Sequence, residues 1–128
     1  MSSEKILVVD DHKDGLELLQ LQLQSLGWEA IPARSGREAL EKIKSVRPSL
    51  IVLNMLMPEM NGFEVARSLK KDPSYRDIPI LAATGLAMPG DQERCLEAGC
   101  DDYIPKPFTH RDLQERLTRL LSTSNLPA

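Results

Sequence analysis

Apolar runs of four or five residues alternate with amphipathic stretches of ten to fifteen along the whole chain, and that beat leaves few folds open. Lys5 to Val9 reads as a strand; Leu16, Leu19, Leu23 and Leu26 then share one stripe of a helix that Gly27 stops. Trp28 to Ala33 reads as a second strand. Ser35, with Glu38 three residues on, forms a capping box ahead of Leu40, Ile43 and Val46. Pro48 breaks that helix, and Leu50 to Leu53 is apolar without alternation, as expected of a strand covered on both faces. Asn61 is placed to cap a third helix whose Phe63, Ala66 and Leu69 share a face, and Asp72-Pro73 ends it. Ile78 to Ala83 supplies a fourth strand, and a fourth helix carrying Cys95, Leu96 and Ala98 ends at Gly99. Tyr103 and Ile104 mark a brief fifth strand, and Thr109 opens a last helix carrying Leu113, Leu117, Leu120 and Leu121.

Five strand–helix units predict an α/β fold with a doubly wound parallel sheet, because right-handed crossovers put helices on both faces. Ligands in such folds bind outside the carboxyl ends of the strands. The expected organisation is one domain over residues 4–122, a tail over 1–3, and a small polar segment over 123–128 that is a tail or the start of a linker.

Composition removes several functions. The 128 residues carry 16 basic and 19 acidic side chains, a net charge of −3, with no basic stripe to track a phosphate backbone, so direct nucleic-acid binding is not expected. The longest apolar runs, Ile6 to Val9 and Leu50 to Leu53 among them, fall far short of the roughly 20 residues that cross a bilayer. The first residues turn acidic at Asp10-Asp11 too soon for a secretory signal, and the expected address is the cytoplasm. Cys95 and Cys100 would lie about 140° apart on a helix, and with only His12 and His110 beside them they read as apolar fillers, neither disulfide nor zinc site.

The strand ends hold the candidate chemistry: Asp10-Asp11 after strand one, Asn54 after strand three, Thr84 after strand four and Lys106-Pro107 after strand five. Two adjacent carboxylates crowd negative charge, which a divalent cation relieves, and hard oxygen ligands suit magnesium. Taken alone the pair could equally cap the following helix, Thr84 could be a turn hydroxyl and Lys106 a solvated charge. An acid pair, a hydroxyl and an ammonium at one edge of one sheet together suit a held phosphoryl group. His12 reads as a solvated loop histidine without a role.

Ile6 to Asp11, Met57-Pro58-Glu59-Met60-Asn61-Gly62, Thr84, and Tyr103-Ile104-Pro105-Lys106-Pro107-Phe108 resemble the response-regulator receiver domain of two-component signalling, of the chemotaxis-regulator type, over nearly the whole chain. The resemblance implies a flavodoxin-like sheet of order 2-1-3-4-5 with five flanking helices. It implies Mg2+ held by Asp10, Asp11 and the backbone carbonyl of Leu56, with Thr84 and Lys106 contacting a phosphoryl group and Tyr103 as the aromatic switch. It also implies a cis bond at Lys106-Pro107. The implied partners are a histidine kinase or phosphotransfer protein and a downstream effector. The effector would read the face of helix four, strand five and helix five, where Met88, Gln92, Tyr103 and Arg111 fall; a homodimer, known for many relatives, is a further expectation.

Position 54 departs from the pattern. Where such receivers carry the aspartate that accepts the phosphoryl group, this chain has Asn54. An amide's lone pairs are delocalised and it carries no negative charge, so phosphorylation there is expected to fail. Carboxylates around the site fall from three to two against one lysine, so Mg2+ binding is expected to weaken, with Asn54 at most a weak ligand. Two explanations of Asn54 stand, a natural pseudo-receiver and an engineered replacement of the aspartate, and the intact neighbours lean toward the second. Lesser departures are Gly85, where alanine is common, and Pro105 in strand five, tolerable on an edge.

The competing enzyme reading is a haloacid-dehalogenase-like phosphatase, which also combines strand-end acids, a hydroxyl and a lysine. It would require Asp-x-Asp after strand one, whereas these acids are adjacent. Nucleotide or flavin binding is not expected either, because Gly85 to Gly90 runs into Asp91-Gln92 instead of Lys-Ser/Thr.

Overall fold

The computed structural model describes residues 4–57, 61–85 and 90–125. The elements alternate without exception: β1 (Lys5–Val9), α1 (Lys13–Ser25), β2 (Glu29–Ala33), α2 (Gly36–Ser45), β3 (Leu50–Asn54), α3 (Gly62–Lys71), β4 (Ile80–Thr84), α4 (Asp91–Glu97), β5 (Asp102–Pro105) and α5 (His110–Asn125). The strands form one parallel sheet of order β2-β1-β3-β4-β5, with β1 and β3 in register from Ile6↔Leu50 to Val9↔Leu53. The doubly wound expectation and its strand order are what the structure holds.

Strand pleating divides the core in two. Leu7, Val9, Ile51, Leu53, Ile80 and Ala82 point to the side where α2, α3 and α4 pack through Ile43, Phe63, Leu69 and Cys95. Ile6, Val8, Leu50, Val52, Leu81 and Ile104 point to the other, under Leu19 and Leu23 of α1 and Leu113 and Leu117 of α5. Every residue of β3 is buried, which accounts for its unbroken apolar run.

The caps form where the side chains allow them. Ser35 Oγ accepts from Glu38 N at 3.1 Å, Asn61 Oδ1 from Glu64 N at 3.1 Å and Thr109 Oγ1 from Asp112 N at 3.0 Å. Strand bounds shift slightly. Trp28 stays outside β2, its N–H spent on Leu23 O as α1 ends, and β4 starts at Ile80 because Pro79 has no N–H for the ladder. Leu96 does not join the core with Cys95 and Ala98; it is 43% exposed, because α4 turns that position to solvent. The helix of the last unit runs to Asn125, and Met1–Ser3, Pro58–Met60, Leu86–Pro89 (with Met88) and Leu126–Ala128 lie outside the described residues.

Candidate functional site

β1 and β3 are neighbours in the sheet, so their carboxyl ends bring Asp10 and Asn54 side by side although 44 residues separate them in sequence. Both are buried, Asp10 at 3% and Asn54 at 5% exposure, while the Asp11 side chain keeps 24%. Asp10 N is tied to Ala33 O of β2 at 3.0 Å, and Asp10 Oδ1 accepts from His12 N at 3.0 Å as the chain turns into α1. That bond ends at His12, and α1 has no side-chain cap, so the helix-capping alternative for the acid pair does not describe the site.

Asn54 is the hub. Its Nδ2 lies 3.1 Å from Asp10 Oδ1, 3.3 Å from Asp11 Oδ1 and 3.1 Å from the carbonyl oxygen of Leu56. Three oxygens therefore converge on one point, and an amide nitrogen with two hydrogens occupies it. The opposite orientation would set the amide oxygen against three acceptors, so chemistry fixes which way the carboxamide faces.

The positive charge is held farther off. Lys106 Nζ stands 3.4 Å from Asp10 Oδ2, partly exposed, beyond a cis Lys106–Pro107 bond, and its backbone N–H donates to Thr84 O at 2.8 Å. Thr84 ends β4, fully buried, on the strand face shared with Ile80 and Ala82. Tyr103 packs on that same face, paired in register with Ala82 and with its carbonyl held by Arg116 Nε at 3.1 Å. Desolvation, and then the neighbouring Cys95 and Asp91 of α4, push its hydroxyl above the ordinary tyrosine value. Gln92 and Arg111 are exposed, and Cys95 and Cys100 are buried free thiols, the second pushed up to about 12 chiefly by burial.

Two contributors escaped the sequence reading. His12, given no role there, brings Nδ1 within 3.4 Å of Asp10 Oδ1 and 3.3 Å of Asp11 Oδ1, and the three side chains together can offer ligand atoms to one metal ion. Its adjacency to two acids was the available signal. Gly15 leaves room for Asp10, since a Cβ there would sit 3.1 Å from Asp10 Oδ2. Beside the acids opens a cavity of about 450 Å³ lined by Asp10, Leu18, Gln22, Lys106, Pro107 and Phe108.

Residues 6–118 match the family model described as "Response regulator receiver domain". Among curated relatives, the polar-differentiation response regulator DivK of Brucella anthropi is 38% identical over 106 residues, 83% of this chain and 86% of that protein. The probable transcriptional regulator ycf27 of Porphyridium aerugineum is 38% identical over 99% of this chain, which spans only 55% of that relative's length. Among solved structures, the receiver domain of the sensor histidine kinase PA1611 from Pseudomonas aeruginosa PAO1, with a magnesium ion in its active-site cleft, superposes with a TM-score of 0.87 at 30% identity, over 94% of this chain and 99% of that one.

Proposed function

The chain belongs to the response-regulator receiver family, and from that premise we propose that it is a signalling module whose phosphoryl-accepting position is silenced by Asn54. Within the family reading, the position facing Asp10 and Asp11 is the one at which a carboxylate would attack phosphorus. A neutral amide there is no nucleophile, so the module would not be charged by a histidine kinase or phosphotransfer protein. The observation that carries this is the convergence of Asp10, Asp11 and Leu56 O on the side chain at 54.

The donor set suits a hard divalent cation: two carboxylates and a backbone carbonyl, all oxygen, with solvent reaching Asp11. Mg2+ would be held by Asp10, Asp11 and Leu56 O, and when bound it would offset charge on a phosphoryl group. Thr84 and Lys106 are the residues we assign to the phosphoryl oxygens, Lys106 as an ammonium poised beside Asp10. Tyr103 would carry the switch, from the strand face it shares with Thr84 to the α4–β5–α5 surface where Gln92 and Arg111 are exposed.

A donor protein must bring its phosphoryl group to the sheet edge. The cavity bordered by Leu18 and Phe108, with Asp10 and Lys106 at its polar end, is the approach that supports such docking. An effector, or a second copy of the chain, would use the α4–β5–α5 face. The receiver unit is taken as residues 4–122 and its address as the cytoplasm; among the described residues no helix is long and apolar enough to cross a membrane. The matched relatives include a transcriptional regulator nearly twice as long and a sensor kinase's receiver, so the output of the whole protein is a separate question from this module's. Nothing found favours the phosphatase reading.

The test is acetyl phosphate with Mg2+, read by intact-protein mass spectrometry. The chain with Asn54 is expected to stay unlabelled and Asn54→Asp to gain one phosphoryl group on residue 54. Label on Asn54 itself, or no label on the aspartate variant, overturns the reading.

A further inference from the structure

The geometry points to Asn54 as more than a missing nucleophile: its carboxamide is the resident occupant of the cation position, and a divalent ion enters only by turning that carboxamide away. This deepens the receiver reading and rests on it for the kind of cation concerned.

Nδ2 sits at the point on which Asp10 Oδ1, Asp11 Oδ1 and Leu56 O converge, at 3.1, 3.3 and 3.1 Å. Those are the oxygens that would ligate Mg2+, and the amide N–H groups now point at them as donors. An aspartate at 54 could not do this, because it would bring a third acceptor to an acceptor-rich point. Asn54 therefore replaces repulsion between acceptors by hydrogen bonds to both acids. His12 Nδ1, 3.4 and 3.3 Å from the same two oxygens, and Lys106 Nζ, 3.4 Å from Asp10 Oδ2, stand on the outer, solvent-facing side of the two acids.

An incoming ion meets a cost that the loss of one negative charge does not describe. It must displace Nδ2 from three oxygens, and Asn54 is buried at 5% exposure, so solvent offers those donors little in exchange. Only after about half a turn of the side-chain amide could Oδ1 serve as a ligand, since amide oxygen and nitrogen lie on opposite sides. Mg2+ readily keeps water in its coordination sphere, so a protein ligand at 54 is dispensable to it. The occupied amide thus costs binding more than its oxygen returns.

That inequality gives the test a sign. MgCl2 is titrated into the 15N-labelled chain at ionic strength matched with NaCl, following the Asn54 side-chain NH2 pair, and into Asn54→Ala and Asn54→Asp followed by backbone amides of residues 10–12. The expected result is that the NH2 pair is slow to exchange without the ion and moves on saturation, that Asn54→Ala binds Mg2+ at least as tightly as the parent, and that Asn54→Asp binds about tenfold tighter or more. Weaker binding by Asn54→Ala, or an NH2 pair unmoved while residues 10–12 saturate, overturns the proposal. Neither outcome depends on phosphoryl transfer, so labelling of Asn54→Asp would leave the receiver reading standing even where this one fell.

Discussion

The two ends of the sheet each hold a lysine against an aspartate, and they are built to opposite specifications. At the amino end, Lys70 Nζ donates to Arg76 O at 3.0 Å, Ile78 O at 3.2 Å and Asp101 Oδ2 at 3.1 Å, three acceptors for three donors. Asp101 Oδ2 also accepts from Ile80 N at 2.8 Å, which pins the start of β4 to the start of β5. At the carboxyl end, Lys106 stands 3.4 Å from Asp10, and an amide with two hydrogens serves three oxygens. The first cluster is balanced and holds strands in place. The second is short of donors and opens beside a cavity, as suits the ligand site proposed for it.

The latch has its own glycine, and replacing it is the harshest way to break the contrast. Gly99 has φ +113, and a Cβ there would lie 2.4 Å from Lys70 Cγ. Gly99→Ala combines a left-handed backbone with a side chain driven into the latch, and is expected to cost about 3 kcal/mol in urea unfolding. Gly85, by contrast, would place a Cβ more than 4 Å from any described residue beyond its chain neighbours at the carboxyl end, with no positive φ. A loss at Gly99→Ala below about 0.5 kcal/mol would deny the latch its structural role.

Exchanging acids sharpens the comparison at smaller scale. Asp101→Ala removes the acceptor of Ile80 N and one partner of Lys70, and is expected to cost about 2 kcal/mol. Asp11→Asn at the other end relieves crowding between two carboxylates and keeps one oxygen to accept from Asn54 Nδ2, and is expected to leave stability within about 0.5 kcal/mol or to raise it. Thermal melts of the two variants without added divalent ion make the check. Equal losses would mean that the two clusters carry the fold alike.

What the sequence disclosed, and what it withheld, divides along similar lines. Periodicity reports burial, so the five units, the central β3 and the caps at Ser35, Asn61 and Thr109 were legible. The residues at the carboxyl edge were legible because strand ends locate themselves once the strands are found. The hub role of Asn54 was not, because it depends on which way an amide faces two side chains 43 and 44 positions away. His12 was read as solvated, and at 73% exposure its side chain is; that its ring also stands beside both acids depends on a side-chain turn that adjacency in sequence suggests without fixing. The Lys70–Asp101 latch gave no signal, since its acceptors are mostly backbone carbonyls.

The mildest effect expected is a matter of pH, at the start of α5, where donors and acceptors balance again. Thr109 N donates to Asp112 Oδ2 at 3.1 Å and Asp112 N to Thr109 Oγ1 at 3.0 Å, a reciprocal box at the helix N-terminus. The backbone bond from Thr109, then its side-chain bond, hold the Asp112 carboxyl below the ordinary aspartate range, with Arg116 and Arg111 adding a little. The folded state thus releases this proton more readily than the unfolded chain does. Its contribution is present above the unfolded value and lost as pH falls through the lowered one. Carboxyl-detected NMR should put the Asp112 midpoint below that of an unstructured aspartate, with the Thr109 amide signal moving in step. In Asp112→Asn the Thr109 amide should no longer respond in that acid window, because the carboxamide oxygen accepts the bond at every pH. A midpoint at the unstructured value would mean that the box does not form in solution, and that α5 is held by Leu113, Leu117 and the core beneath them.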